Sequence, residues 1–394
     1  MLNWFVFVAT YLVVENLACS ALQIWLLRRH GTAFKGLEFF VYLWAFSMTG
    51  LFLLQLLEPF AWKAFMREWL YLPMAVEMSW NLIFLQVIFP ATIFAVLITR
   101  LFRRKNAQPQ PTTAEGMSRK KFIYLASYGV LPATALGMGV HGALTSDDLR
   151  VRSFDLPVAN LPPEWEGFTI AHVSDLHSGI FVGPQRLKII SDTTNDLKAD
   201  LVVVTGDLIN REMNEFPAAL TAIQRMESRL GTYLCEGNHD TIPGPYILVA
   251  ECFRNQLRML YNLCATIPGR ESRLILGGLA WNKIYQMAAG PAMLGELFPS
   301  RQEGDVRVLL AHHPDLFDIA QDADVVLSGH THGGQIMFGD NIGLGRLRFR
   351  YCSGPFHRNN TTMIVSNGCG DWFPCRIGAP AEIGLLRLTR APAA

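Results

Sequence analysis

The chain is short of charge. Only 17% of its 394 residues are Asp, Glu, Lys or Arg, below what a soluble globular protein ordinarily carries, and its mean hydropathy is positive. The 34 basic and 33 acidic residues nearly cancel. No folded stretch concentrates Lys and Arg, which argues against a nucleic-acid-binding face. A CxxC pair is also missing, so neither a thiolate zinc knuckle nor a dithiol redox motif fits, although seven cysteines are present. Six of them, Cys235, Cys252, Cys264, Cys352, Cys369 and Cys375, fall in the second half of the chain. In an oxidising compartment these six could pair, Cys369 with Cys375 first, while Cys235 reads as an inert core thiol.

Long apolar runs are concentrated at one end. Residues 2–27, 37–57, 72–99 and 122–144 each approach the ~20 residues that a bilayer-spanning helix needs. Residues 1–145 carry 12 Lys/Arg against 6 Asp/Glu, and the remainder carries 22 against 27. The expected arrangement is therefore a four-helix transmembrane domain, 1–145, followed by an exported domain, 146–394. Basic residues crowd the first and third loops, at Arg28, Arg29 and Lys35 and at Arg100, Arg103, Arg104, Lys105, Arg119, Lys120 and Lys121. The positive-inside rule makes those loops cytoplasmic and sends the C-terminal domain to the opposite, periplasmic or extracytoplasmic face, with a bacterial inner membrane as the expected home. With Pro73, Glu77 and Pro90 in the third run, and Gly129, Pro132, Gly137 and Gly139 in the fourth, either could be kinked, interfacial or re-entrant, and one failed span would reverse the side.

Past residue 146, short apolar runs alternate with helical patterns, which is the grammar of an α/β domain. Runs at 168–173, 201–204, 231–235, 306–310 and 324–327 predict strands buried on both faces, and 184–198, 216–229 and 245–259 predict helices. Each strand ends in a side chain able to bind metal. These are Asp175 and His177; Asp207; Asn238, His239 and Asp240; His312 and His313; and His330 and His332. Carboxylate, amide oxygen and imidazole without thiolate favour two divalent ions of the Mn, Fe or Zn type over copper or an iron–sulfur cluster. His312 and His313 point to opposite sides of an extended segment, so only one of them can be the ligand. His172 reads as a core or supporting histidine. His357 and Arg358, in the Gly-rich segment 354–360, read either as contacts to a substrate phosphate or as a solvated loop, and Arg346, Arg348 and Arg350 alternate as on one strand face, giving either a headgroup-binding row or an exposed edge.

Asp175-x-His177, Gly206-Asp207, Gly237-Asn238-His239-Asp240, His312 and Gly329-His330-x-His332 resemble the ordered signature of the calcineurin-like metallophosphoesterases. Gly333-Gly334-Gln335 and the run Gly368-Cys369-Gly370 to Pro374-Cys375-Arg376 and Glu382-Ile383 are similar to their membrane-associated YkuE/YaeI-like branch, with Ala381 where that branch usually has Pro. The resemblance implies an αββα four-layer sandwich. It also implies one ion held by Asp175, His177 and His332, a second held by Asn238, His312 and His330, and Asp207 bridging the two. His239 would protonate the leaving oxygen and Asp240 would hold its ring. The expected activity is hydrolysis of phosphomono- or phosphodiesters by metal-activated water. A membrane anchor brings lipid-linked phosphates and pyrophosphates within reach beside soluble esters. The alternative is a catalytically silent membrane sensor or scaffold that binds a ligand with the same domain; lost ligand positions would be its mark, and none is lost.

Overall fold

A computed structural model describes residues 144–281, 296–339, 342–372 and 375–391, with parts of 137–142. The chain divides into two compact units, residues 1–144 and 145–394. The four expected spans lie almost wholly outside the described residues. Among the described residues, no helix is long and apolar enough to cross a membrane.

The second unit is built on two six-stranded sheets. The first contains β1 (Leu149–Val158), β2 (Thr169–Val173), β3 (Leu201–Thr205), β4 (Thr232–Cys235) and β5 (Arg258–Met259). The second contains β6 (Leu263–Pro268), β7 (Arg273–Gly278), β8 (Val306–Leu310) and β9 (Val325–Ser328). A hairpin of β10 (Met337–Gly339) and β11 (Ile342–Gly343) stands apart from both. Then β12 (Gly354–Arg358) and β13 (Thr361–Val365) return to the second sheet, and β14 (Ala381–Arg390) returns to the first. The orders are β1-β14-β2-β3-β4-β5 and β12-β13-β9-β8-β7-β6. The run β2 to β5 is parallel, as is β7-β8-β9-β13, while β14 lies antiparallel to β2.

Strands β3, β8 and β9 are buried at every residue, as their mostly apolar runs require, with Arg307 of β8 buried among them. One layer of side chains fills the space between the sheets. Ile170, Leu201 and Val203 meet Leu276, Val308, Leu310 and Leu327 there, each burial stabilising by about 1.5–3 kcal/mol. The other face of the first sheet packs against α1 (Pro184–Asp196), α2 (Phe216–Gln224) and α3 (Ile247–Arg254) through Leu187, Ile190, Ala219, Ile223, Leu248 and Cys252. The outer face of the second sheet is covered, among the described residues, by Trp281, Leu297, Phe298 and a short 3-10 turn bearing Leu316 and Phe317. The architecture is a mixed α/β sandwich whose second outer layer, where described, is thinner than the resemblance implied.

Two predicted helices stop early. The amide of Glu227 is taken by Asn195 Oδ1 at 2.8 Å, which ends α2 before residue 229. The stretch after α3 turns at Gln256, with φ of 59°, into β5. Residues 344–347, which carry Arg346, form a 3-10 turn and not the expected strand. None of the six described cysteines forms a disulfide, and Cys369 Sγ instead donates to Glu382 O at 3.0 Å.

Candidate metal centre

Parallel strands deliver their carboxyl ends to one edge, and here both sheets do so toward each other. The turn after β2 runs beside the turn after β3, with Asp175 N bonded to Gly206 O and His177 N to Asp207 O. The turn after β9 is tied to the end of β8 through Gly329 N and His312 O. The two sheets are stitched together by His330 N, which donates to Asp175 Oδ1 and Oδ2 at 3.1 and 3.2 Å. This close approach needs glycine. A Cβ at Gly329 would collide with Ser174 Oγ and Asp175 Oδ2, and one at Gly237 would collide with the Asp207 amide.

The turns are also strained. Asp175, His177, Asp207, His330 and His332 all adopt left-handed backbone, with φ between 44° and 69°. Non-glycine residues seldom sit there, and such strain gathers where a site over-determines the backbone. Five of the seven residues expected as ligands share it.

The side chains form two groups. Asp175 Oδ1 lies 3.2 Å from His332 Nε2 and 3.8 Å from His177 Nε2, and the two imidazole nitrogens are 3.0 Å apart. In the second group, Asn238 Oδ1 lies 2.7 Å from His330 Nδ1 and 3.2 Å from His312 Nε2. Asp207 Oδ2 touches both groups, 3.5 Å from His177 Nε2 and 3.1 Å from His312 Nε2. Its other oxygen is occupied by the His239 amide at 2.7 Å, so a single oxygen is left to be shared. All seven expected ligands are thus brought together, along with His239.

The donor set fits a pair of cations. Donor atoms bound at about 2.1 Å around one cation sit roughly 3–3.5 Å from each other, and the separations within the two groups, 3.0–3.8 Å and 2.7–3.2 Å, bracket that range. The charges agree. Burial opposes ionisation of Asp175, yet His332 and His312 hold it below the usual carboxylate range. Asp207 is likewise held well below that range, against burial, by His312 and His239. Burial likewise resists a charge on His312, but Asp207 and Asp175 outweigh it and lift the imidazole to about 10. Two buried carboxylates therefore draw positive charge into the pocket. Burial also pushes His177 and His330 well below the ordinary histidine range, leaving neutral rings with lone pairs to offer. The His312 tautomer is set from behind, since Nδ1 donates to Thr205 O at 2.6 Å and Nε2 faces the cluster.

Other residues are placed differently from expectation. Asp240 does not hold the His239 ring. Its oxygens accept from the amides of Asp207, Leu208 and Gly237 at 2.7–2.9 Å, clamping the turn after β3 to the turn after β4, because three converging N–H groups capture a buried carboxylate more firmly than one imidazole would. His239 Nδ1 instead meets Asn210 O. His313 takes the Asp315 amide on Nδ1 and stacks on His330 with ring centroids 4.7 Å apart, outside the carboxylate groups. His357 of β12 contacts Thr362 of β13, and Arg358 pairs with Asp318, both away from the cluster.

Three supporting residues have no role assigned from the sequence, where Arg376 figures only as part of the branch-like run Pro374-Cys375-Arg376. Glu236 accepts the Trp281 amide at 2.9 Å and so sets the Trp281 ring 5.1–5.7 Å from His312, His313 and His330. Arg376, buried, reaches within 3.3 Å of His332 Nδ1. An acid next to Gly237 was the one available signal for the first; nothing local marked Trp281, and Arg376 was marked only by its place in the run Pro374-Cys375-Arg376.

With this geometry in place, comparison with known proteins is decisive: residues 168–334 match the model of the calcineurin-like phosphoesterase family. They form a calcineurin-like phosphoesterase domain. An uncharacterized metallophosphoesterase of Helicobacter pylori is 31% identical over 226 residues, covering 55% of this chain and 58% of that one. The chain thus spans less than two thirds of that relative's length. A transmembrane protein with metallophosphoesterase domain from Danio rerio is 29% identical, covering 73% of this chain and 67% of its own. The uncharacterized metallophosphoesterase YkuE of Bacillus subtilis is 27% identical, covering 69% of this chain and 98% of its own. The clustered His and Asp side chains of the phosphoesterase domain are able to bind two metal ions.

Proposed function

We propose that this chain is a membrane-anchored phosphoesterase that hydrolyses phosphate esters at a dinuclear metal centre. The observation that carries the reading is Asp207 Oδ2, one oxygen within 3.5 Å of a nitrogen donor from each group. Asp175, His177 and His332 would hold one ion and Asn238, His312 and His330 the other, with Asp207 between them. When bound, a pair of divalent ions of the Mn, Fe or Zn type supplies activation of water near neutral pH and neutralises charge on the phosphoryl oxygens. The protein's own part is positioning and proton handling. Because His239 Nδ1 is committed to Asn210 O, Nε2 is the ring atom left to give a proton to the leaving oxygen. The Asp240 clamp keeps Asp207 and Asn238 in register.

Residues beside the site support a lipid-linked phosphate or pyrophosphate as substrate. Phe338, 68% exposed, lies in β10, and Leu347, 88% exposed, lies between Arg346 and Arg348 in the run that ends at Arg350. Phe349, in the same segment, lies 5.5 Å from the His330 ring. Apolar side chains alternating with guanidinium groups suit an acyl chain attached to a phosphate. The expected anchor is the run of four apolar segments, with the catalytic domain away from the cytoplasm.

Two measurements test the reading. Purified full-length protein should hydrolyse a chromogenic phosphodiester with Mn²⁺, lose that activity in EDTA and regain it when Mn²⁺ returns; activity indifferent to chelation sinks the metal centre. His239→Asn keeps a donor for Asn210 O but removes the acidic Nε2. It should lower kcat by about 10²-fold with two ions still bound. Loss of an ion in that variant would make His239 a ligand, a role its place within 4.8 Å of His177 and Asp207 also permits.

A further inference from the structure

A second set of polar side chains runs behind the site and ends on one of its carboxylates. Ser174 Oγ donates to Asp175 Oδ2 at 2.5 Å, Thr205 Oγ1 donates to Ser174 Oγ at 2.8 Å, and His172 Nε2 lies 2.8 Å from Thr205 Oγ1. All four residues are completely buried. Inside a core, an arrangement of this kind persists only if its hydrogen bonds are made.

The acceptor at one end fixes every proton in the chain. An ionised carboxylate only accepts, so the Ser174 proton points at Asp175, its nearer partner; the Thr205 carbonyl is 3.2 Å away. The Ser174 oxygen then takes the Thr205 proton, and the Thr205 oxygen must receive one from His172. This puts the His172 hydrogen on Nε2. Nδ1 is left as a bare lone pair, in accord with its being buried with no hydrogen-bond partner. Burial keeps the ring neutral by pushing its pKa down to about 4.

The consequence falls on Asp175. Its Oδ2 is pinned by Ser174, which turns Oδ1 toward His332 and His177. Thr205 does a second, separable job. Its side chain serves Asp175, but its backbone carbonyl orients His312, which belongs to the other group. We propose that His172, Thr205 and Ser174 form a positioning chain for Asp175 that sets the affinity of the cation position built by Asp175, His177 and His332, and does not set that of the position built by Asn238, His312 and His330.

The inference rests on the dinuclear reading above, and the test separates the two. Mn²⁺ is titrated calorimetrically into the metal-stripped full-length protein. If the parent fails to bind two ions, the dinuclear reading itself falls, and the inference with it. Given two ions, Thr205→Val, which cuts the chain but spares the carbonyl, should weaken one position by about 10- to 100-fold, the usual effect of losing an outer partner of a ligand. The other position should stay unchanged. Thr205→Ser, which restores the hydroxyl, should restore the affinity. Ser174→Ala removes the last link by a different route and should reproduce the Val result even if that variant folds poorly. Equal weakening of both positions, weakening that Thr205→Ser fails to rescue, or two unaltered affinities would overturn the proposal.

Discussion

Asp207→Asn should cost about 10³-fold or more in metal-dependent phosphodiester hydrolysis, the factor that about 4 kcal/mol of lost transition-state stabilisation represents. The substitution changes the shape of the side chain hardly at all, so the effect comes from what each terminal atom faces. In the native chain, Oδ1 accepts the His239 amide and Oδ2 faces His177 on one side and His312 on the other. Asparagine has only one oxygen. If it keeps the His239 bond, an NH₂ group with no lone pair to offer faces both donor groups. If the amide flips, the NH₂ opposes the His239 N–H and the clamp on that turn is lost. Either way the buried negative charge that draws cations into the pocket is gone. The Asp207 backbone is unaffected, with its amide on Asp240 Oδ2 and its carbonyl on His177 N, so the fold should survive. Turnover with Mn²⁺ and the metal content of the same sample check the point together. A variant that keeps two ions and full activity would remove Asp207 from the centre.

The convergence of these residues was legible because two separate signals coincide. Strands such as β3 and β8 are apolar at nearly every position, since both faces are covered, and in each the residue that matters stands one small residue past the end. A run that must be buried thereby announces where its end lies, and side chains such as Asp207 and His312 read as edge residues without any knowledge of their partners. Contacts that depend on the backbone were invisible. The sequence offers Asp240 as a neighbour for His239, because the two are adjacent in the chain, but the acid turns inward to three amides whose position depends on how two loops meet. The left-handed backbone at Asp175, His177, Asp207, His330 and His332 is equally silent, since none of them is glycine. The pairing of Cys369 with Cys375 failed for a related reason: spacing in the chain says nothing of direction, and Cys369 Sγ is aimed at the β14 backbone. Strand β14 itself inserts between β1 and β2, more than 200 residues away in sequence, a placement no local pattern encodes.

Arg376 shows how much that distant segment matters. Arg376→Met should destabilise the phosphoesterase domain by about 3–5 kcal/mol, the range for removing one partner of a buried ion pair. The guanidinium is 2% exposed. Its Nε donates to Asp371 Oδ1 at 2.5 Å, Nη1 donates to the carbonyls of Asn367 and Ala379, and Nη2 donates to that of Gly370 at 2.7 Å. Methionine fills much of the volume but leaves Asp371 as a buried carboxylate without this partner and three carbonyls without donors. Lysine retains the charge but not the planar fork that meets acceptors on several sides, so Arg376→Lys should recover only part of the loss. Two of those carbonyls, of Asn367 and Gly370, belong to the turn that carries Gly368, whose Cα neighbours Asp175 and His332. Loosening it should therefore reach the metal centre: Mn²⁺ should raise the melting temperature of Arg376→Met by less than it raises that of the parent. Chemical unfolding of both proteins, with and without Mn²⁺, measures the two effects separately. An Arg376→Met variant as stable as the parent would mean that the buried guanidinium contributes no more than the side-chain volume it fills.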